Sequence, residues 1–185
     1  MKHVVRKLIW DYEKEEKWLN EMSAKGMALS ELSWCKYVFT ETPNNEYTYR
    51  IELLDNMPDH PDSIKYLKFL EENGIDCVST YMRWVYLRKK SGEGPFDIYT
   101  DLESRIKHYK RINRLWKSVM WLELILGLFN VMIGVINYSF SSQDLSIVNV
   151  IMGGMLILLG LVFLIIGAPI RKKIKKLQLE NLIIE

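Results

Sequence analysis

The stretch that decides the fold is residues 118–168, which read SVMWLELILGLFNVMIGVINYSFSSQDLSIVNVIMGGMLILLGLVFLIIGA. It holds two apolar runs, residues 118–138 and 145–168, with a short polar break between them. Glu123 and Asp144 are its only formally charged residues, and it contains no Lys or Arg. Because a bilayer-spanning helix needs about 20 predominantly apolar residues, the two runs predict a two-helix transmembrane hairpin.

Basic residues flank this hairpin on both sides. The residues that precede it are Arg105, Lys107, Lys110, Arg111, Arg114 and Lys117, and those that follow it are Arg171, Lys172, Lys173, Lys175 and Lys176. Short basic flanks stay on the cytoplasmic side of a membrane. The pattern therefore predicts a two-pass membrane protein with both termini in the cytoplasm.

Glycine and asparagine recur at steps of three and four along both runs. We call this set the glycine seam: Gly127, Asn130, Gly134, Asn137, Asn149, Gly153, Gly160 and Gly167. Small residues at helical spacing let two helices approach closely in lipid, where the hydrophobic effect does not hold them together. We expect Gly134 to face Gly153, and Gly127 to face Gly160, with Asn137 next to Asn149. In the alternative, part of the seam serves a homodimer or the helices of a partner.

Glu123 is the only acidic residue within either run. An ionisable group inside a membrane is by default a functional hypothesis, such as a proton site or the partner of a cation. The alternative is that Glu123, less than two turns from Lys117, reaches the membrane interface and has no such role.

Residues 1–95 predict a cytoplasmic α+β domain. Asp11 can cap a helix that ends at Gly26, and a second helix begins near Pro61 and closes at Gly74. Strand-like stretches occupy residues 3–10, 27–32, 35–41, 47–54, 76–81 and 84–89. This order favours an antiparallel-rich sheet with two helices, in a ferredoxin-like topology with an added strand.

Two further segments complete the expected organisation. Residues 96–117 predict a basic juxtamembrane helix. Thr100 caps its start near Asp101 in a capping box with Glu103, and it continues into the first span as one helix of nearly forty residues. Residues 169–185 predict an amphipathic cytoplasmic tail. The lipid bilayer, through its anionic head groups, is the partner that these basic segments imply.

The first domain carries an unusual number of aromatic residues for its size, including Trp10, Trp18, Trp34 and Trp84. Most aromatic side chains of a small domain are core. The functional interpretation is that these tryptophans form a surface that recognises an amphipathic molecule or a partner protein. The three acids Glu13, Glu15 and Glu16, by contrast, predict a solvated face near the positive end of a helix dipole.

Motifs of catalysis and metal binding are missing from the sequence. It has no phosphate loop, dinucleotide fingerprint, nucleophile elbow or zinc-protease motif. Cys35 and Cys77 belong to no Cys/His cluster, which predicts neither a disulfide nor a zinc site. No basic face is evident in the first 95 residues, so we expect no nucleic-acid partner. These observations predict a protein without catalytic residues, cofactor or metal.

Several stretches resemble a known family. They are residues 10–22 (WDYEKEEKWLNEM), 47–51 (YTYRI), 94–96 (GPF) and 104–112 (SRIKHYKRI). The chain thereby resembles the bacterial membrane family labelled domain of unknown function twenty-eight twelve. The resemblance implies a bacterial cell-membrane protein encoded beside a PadR-type transcriptional regulator, with a regulatory or sensory role in envelope or antibiotic stress. It implies no catalytic residues.

Together these observations predict a membrane-anchored, non-enzymatic regulatory module whose cytoplasmic domain binds a protein, and the resemblance implies that this protein is a PadR-type regulator. A second hypothesis, motivated by the glycine seam, is an accessory subunit of a membrane transporter. An enzyme is a third, and it would require a well-formed pocket that holds an acid with a shifted pKa.

Overall fold

The computed structural model describes residues 1–99, 101–140 and 143–184 and divides into two units, Met1–Thr100 and Asp101–Glu185. The first unit confirms the predicted α+β class. Its elements are β1 (Lys2–Arg6), α1 (Tyr12–Ala24), β2 (Met27–Ser33), β3 (Lys36–Glu41), β4 (Tyr47–Leu53), α2 (Pro61–Glu72), β5 (Ile75–Tyr81) and β6 (Trp84–Lys90).

Local chemistry explains where the two helices begin and end. The Asp11 carboxylate accepts hydrogen bonds from the backbone N–H groups of Glu13 and Lys14, at 3.1 and 3.4 Å. These groups have no partner inside α1, so Asp11 stabilises its first turn. Gly26 and Gly74 follow the two helices with φ of +76° and +75°, a conformation that glycine adopts without steric cost.

The strands form two antiparallel sheets of three strands, in the orders β1-β3-β2 and β4-β6-β5. This differs from the single sheet of a ferredoxin-like topology. In each sheet two consecutive strands form a tight hairpin, β2–β3 in the first sheet and β5–β6 in the second. The strand before the helix, β1 or β4, pairs with the free side of β3 or β6. Alternation of apolar residues predicts a strand but does not say which strand it pairs with.

The two sheets belong to two copies of one βαββ unit, related by a shift of 48 residues. Gly74 lies 48 residues after Gly26, and Met82 lies 48 after Trp34; each pair shares a positive φ. The β-bulges also match, since pairing slips at Ser30 in β2 and at Val78 in β5. The first unit is therefore an internal repeat, and we call its halves repeat 1 (β1–β3) and repeat 2 (β4–β6).

Helix α1 packs against both repeats. It contacts β2 of repeat 1 and β4 of repeat 2, and its Leu19 lies in a core with Leu29, Phe39, Tyr49 and Ile51. This cluster joins residues of both sheets, so α1 holds the repeats together.

Helix α2 covers a second cluster, which includes Leu70, Val85 and Leu87. Phe96 is buried in this cluster and Ile98 packs against it. The first unit thus includes residues that follow Pro95.

Polar side chains on α1 form hydrogen bonds with the backbone groups at the unpaired edge of β4. The Asn20 side chain accepts a hydrogen bond from the Tyr49 backbone N–H at 2.8 Å and donates to the Tyr49 carbonyl at 3.1 Å. The Ser23 hydroxyl donates to the Tyr47 carbonyl at 2.6 Å, and Glu16 accepts from the Ile51 N–H at 2.9 Å. An open edge would offer these groups to another strand. The helix therefore closes it.

The second unit consists of α3 (Leu102–Phe140), α4 (Gln143–Ile166) and α5 (Ala168–Ile184). The 39 residues of α3 confirm that the juxtamembrane helix continues into the first apolar run. Asp101 caps it by accepting from the Ser104 N–H at 2.6 Å, whereas Thr100, the predicted cap, lies outside the described residues. Residues 102–139 and 146–183 are long and apolar enough to cross a membrane, consistent with the predicted hairpin.

Candidate functional site

The tips of the two equivalent hairpins carry large exposed side chains. Trp34 lies at the β2–β3 turn with 71% of its surface exposed, and Met82 lies at the β5–β6 turn with 67% exposed. Both have a positive φ, +51° for Trp34 and +53° for Met82. Left-handed backbone costs a residue with a Cβ roughly 1–2 kcal/mol, and glycine or asparagine would fit better. The backbone conformation of the two turns therefore does not explain why these two residues occupy these positions.

Both tips lie at the same end of the first unit. The Trp34 ring centre is 6.0 Å from that of Tyr81, which precedes the second tip. Tyr12, at the start of α1, lies 5.4 Å from Trp84, which follows that tip. Ring contacts therefore join the two repeats beneath the exposed tips.

Two more exposed apolar residues lie at this end. The Lys7 N–H donates to the carbonyl of Cys35, next to Trp34, so Leu8 follows directly beside the first tip. Trp10 is exposed and lies two residues before Tyr12, whose ring contacts Trp84 below the second tip. We call the surface formed by Leu8, Trp10, Trp34 and Met82 the aromatic end. Exposed apolar residues gathered in one place mark interaction sites more often than scattered ones do.

The four tryptophans singled out in the sequence do not form one surface. Trp10 and Trp34 are exposed at the aromatic end, and Trp84 lies half-buried beneath it. Trp18 instead packs edge-on against Tyr37 and Phe39 in the core, at ring distances of 4.8 and 5.7 Å. Met82 completes the surface and was missed, because only the 48-residue repeat reveals that it corresponds to Trp34.

The prediction that Glu13, Glu15 and Glu16 form a solvated helix face was wrong. Glu15 is only 6% exposed, and its Oε1 accepts hydrogen bonds from the hydroxyls of Tyr37 (2.7 Å) and Tyr86 (2.9 Å). Burial raises the pKa of Glu15 above its usual range, and the two tyrosine hydrogen bonds lower it in part. The prediction assumed a helix with one wet face, whereas α1 packs against two sheets.

Glu16 also binds within the protein. Arg50 donates to its Oε1 at 3.0 Å, while its Oε2 accepts from the backbone of β4. Burial raises the pKa of Glu16, an effect that the backbone hydrogen bond and the Arg50 charge oppose. Both acids thus serve the contact between the repeats.

In the second unit four glycines of the seam lie between α3 and α4, in a different register from the one predicted: Gly127, Gly134, Gly153 and Gly160. A Cβ on Gly153 would lie 2.6 Å from the Gly127 carbonyl oxygen, so these two glycines face each other. Gly134 faces Ser146, and Gly160 lies beside Met120 and Leu124. The predicted pairs were wrong by seven residues, about two turns, since Gly127 faces Gly153 rather than Gly160. The helix α4 begins at Gln143, only three residues after Phe140.

Polar residues of the seam and its neighbours differ in what they bind. The Ser146 hydroxyl donates to the Gly134 carbonyl at 2.7 Å and so joins α3 to α4. Asn130 instead donates to the Leu126 carbonyl of its own helix. The Glu123 Oε2 is buried, with no hydrogen-bond partner among the described residues. The role of Glu123 as an intramembrane acid stays a prediction.

Gly167 lies at the junction between α4 and α5. A Cβ on Gly167 would lie 2.8 Å from the Arg171 guanidinium, which donates to the Leu164 carbonyl at 2.9 Å. Pro169 has no N–H to continue the hydrogen-bond ladder, and the arginine side chain binds a carbonyl of the interrupted helix.

No group of three or more His, Cys, Asp or Glu side chains within residues 1–99, 101–140 and 143–184 is arranged to hold a metal ion. Cys35 and Cys77 are free thiols.

Comparison with known proteins gives one match. The model of a family described as "Protein of unknown function (DUF2812)" matches residues 11–121. This match confirms the resemblance seen in the sequence. No curated protein and no solved structure matches the chain.

Proposed function

We propose that the chain, which belongs to the DUF2812 family of proteins of unknown function, is a membrane-anchored, non-enzymatic regulatory module. In this proposal the first unit binds a protein partner through the aromatic end. The apolar helices anchor it in the bacterial cell membrane with both termini in the cytoplasm.

The observation that carries the proposal is the pair of hairpin tips. Trp34 and Met82 occupy equivalent positions and are both exposed. Both have a positive φ, which is unfavourable for residues with a Cβ. Strained backbone persists where function requires the side chain. Tryptophan and methionine are also enriched at protein interfaces, where large apolar side chains supply much of the binding energy.

The proposed partner is a PadR-type transcriptional regulator. Its support is the family resemblance, since members are commonly encoded beside such regulators. Cytoplasmic placement of the first unit, which the basic flanks of the apolar runs favour, would give the aromatic end access to a soluble regulator. A transporter helix as partner has less support, because glycines of the seam already pack within the hairpin.

The test uses the full chain in lipid nanodiscs and the PadR-type regulator from the same genome. We expect the unaltered chain to retain the regulator, and the Trp34→Gly, Met82→Gly double variant to bind it at least about tenfold more weakly. Glycine suits both backbone positions, so this variant keeps the fold. Phe69→Ala is the matched control, because Phe69 is an exposed aromatic residue of α2 outside the aromatic end.

Two results would contradict the proposal. The first is that the regulator is not retained and transcription of its targets is unchanged when the gene is deleted. The second is inverted topology. In a chain with Cys35→Ser and Cys77→Ser, a cysteine introduced by Ser141→Cys should react with an impermeant reagent in intact cells, and one introduced by Asn44→Cys should not.

A further inference from the structure

A groove of about 730 Å³ lies between α2 and β5 in repeat 2. Ile64, Lys68 and Glu71 line it from α2, and Cys77 and Val78 line it from β5. It is separate from the aromatic end, and the proposed function makes no use of it.

The internal repeat shows what the groove corresponds to in the other half of the domain. Residues 48 positions before Ile64, Lys68 and Glu71 are Glu16, Asn20 and Ser23. These are the α1 residues that hydrogen-bond to the edge of β4. In repeat 1 the equivalent side of the helix is thus covered by a strand, whereas in repeat 2 it borders an open groove.

The floor of the groove supports the same correspondence. Cys77 is exposed, and its equivalent, Leu29, is fully buried. Leu29 is covered by Tyr49 of β4, whose hydroxyl accepts a hydrogen bond from the Leu29 N–H at 2.8 Å. The groove therefore occupies the position that the first strand of the following repeat fills in repeat 1.

The chain has one other strand that begins a repeat, which is β1. Val4 of β1 pairs with Val38, as Ile51 of β4 pairs with Tyr86, the residue 48 positions after Val38. The equivalent side chains differ in burial: Ile51 is 3% exposed, whereas Val4 is 57% exposed. The side of β1 that carries Val4 is thus exposed to solvent, whereas the equivalent side of β4 is buried against α1 and β2.

The lining of the groove fits the same strand. Lys2 and Arg6 lie two residues before and after Val4, so strand alternation places all three on one side of β1. The groove is lined by apolar Ile64, Leu67 and Val78, by the acids Glu71 and Asp76 and by the cations Lys68 and Arg88, and Asp76 is paired with Arg88 at 3.1 Å. Val4 would therefore meet apolar side chains, and Glu71 on the α2 wall is the acid that a cation of β1 would meet.

We propose that the groove between α2 and β5 of one copy binds strand β1 of a second copy. Strand β1 cannot fill the groove of its own chain, because β3 separates it from β2, whose Ser30 lines that groove. The second copy reproduces between chains the contact that α1 and β4 make between repeats.

Cross-linking of the full chain in membranes tests the proposal. In a Cys35→Ser background, Val4→Cys should form a cross-linked dimer with the native Cys77 when a short bis-maleimide is added. The dimer should disappear when Cys77→Ser is added. Asp59→Cys in the same background is the control, since Asp59 is exposed in the loop before α2. Equal dimer from Val4→Cys and Asp59→Cys would overturn the proposal, as would a cross-link to a different protein alone.

Charge reversal gives an independent test in detergent. Glu71→Lys should raise the dimer dissociation constant about tenfold, and adding Lys2→Glu should restore it in part. Glu71 is exposed, so an unchanged circular dichroism spectrum should verify the fold. A chain that stays monomeric at all concentrations, or a dissociation constant that Glu71→Lys leaves unchanged, would contradict the proposal.

Discussion

Tyr37 and Tyr86 donate hydrogen bonds to the same carboxylate oxygen, Oε1 of Glu15, although they belong to different sheets. The two distances, 2.7 and 2.9 Å, are ordinary for hydroxyl donors. One acid of α1 thus joins repeat 1 to repeat 2. Its removal should affect the whole unit rather than one sheet.

Glu15→Leu should destabilise the first unit by about 2 kcal/mol, because two buried tyrosine hydroxyls lose their acceptor. Thermal unfolding of the full chain in detergent, followed by tryptophan fluorescence, measures the change. Glu21→Leu is the control on the same helix. Glu21 is exposed and makes only a surface ion pair with Lys17, so its loss should change stability by less than about 0.5 kcal/mol. Equal effects of the two substitutions would contradict this role for Glu15.

The stability of the first unit should fall as the pH rises from 5 to 7. Burial raises the pKa of Glu15 and of Glu16 above the ordinary value of 4.5, so the folded state holds these protons more tightly than the unfolded state does. At pH values above 4.5, ionisation of these two carboxyl groups therefore lowers the free energy of unfolding. Glu15→Gln cannot ionise and should flatten the slope of unfolding temperature against pH. The same slope in the variant would contradict the assignment.

Met82→Gly should be more stable than Met82→Ala by about 1 kcal/mol, because only glycine adopts a φ of +53° without steric cost. Both substitutions remove the same exposed side chain, so comparing them isolates the backbone effect. Chemical unfolding monitored by circular dichroism gives the difference. Alanine at least as stable as glycine would show that the turn relaxes and that Met82 is not strained.

Gly153 and Gly154 are adjacent, but we expect a substitution by alanine to be destabilising only at Gly153. A Cβ on Gly153 would lie 2.6 Å from a backbone oxygen of α3, whereas a Cβ on Gly154 would meet open space. Gly153→Ala should therefore destabilise the hairpin by about 1–3 kcal/mol, and Gly154→Ala should leave it unchanged. Thermal unfolding in detergent compares them. The reverse order would show that the register of the helix pair is different.

Ser146→Ala should weaken the helix pair by about 0.6 kcal/mol, since it removes the hydrogen bond to the Gly134 carbonyl. Ser139→Ala is the control because its hydroxyl donates within its own helix, to Val135. Steric trapping or thermal unfolding in detergent should separate the two variants. A loss of equal size in both would mean that the bond from Ser146 contributes nothing between helices.

Much of the local structure could be predicted from the sequence because its signals are local. Asp11 before a helix and Gly26 after it act within a few residues, and so does the apolar run that places α3. The pairing of strands is not local. Each strand has the same alternation whichever neighbour it pairs with, so two sheets of three strands and one larger sheet were equally compatible with it.

The candidate site was only partly predictable for the same reason. Trp10 and Trp34 could be singled out as aromatic residues, but burial of Trp18 depends on how α1 sits between the sheets. Met82 carries no signal of its own. The repeat that links it to Trp34 preserves few residues, Gly26 and Gly74 among them, and therefore becomes evident only from the matching bulges and turns.

The closure of β4 by α1 has a consequence for how the first unit unfolds. Since the helix of one half supplies the hydrogen bonds that the other half's outermost strand lacks, neither half is complete by itself. In a fragment that ends at Glu46, the polar side chains of α1 that bind β4 would face water. In a fragment that starts at Tyr47, the edge of β4 would lack its hydrogen-bond partners. The two halves should therefore melt in a single cooperative transition.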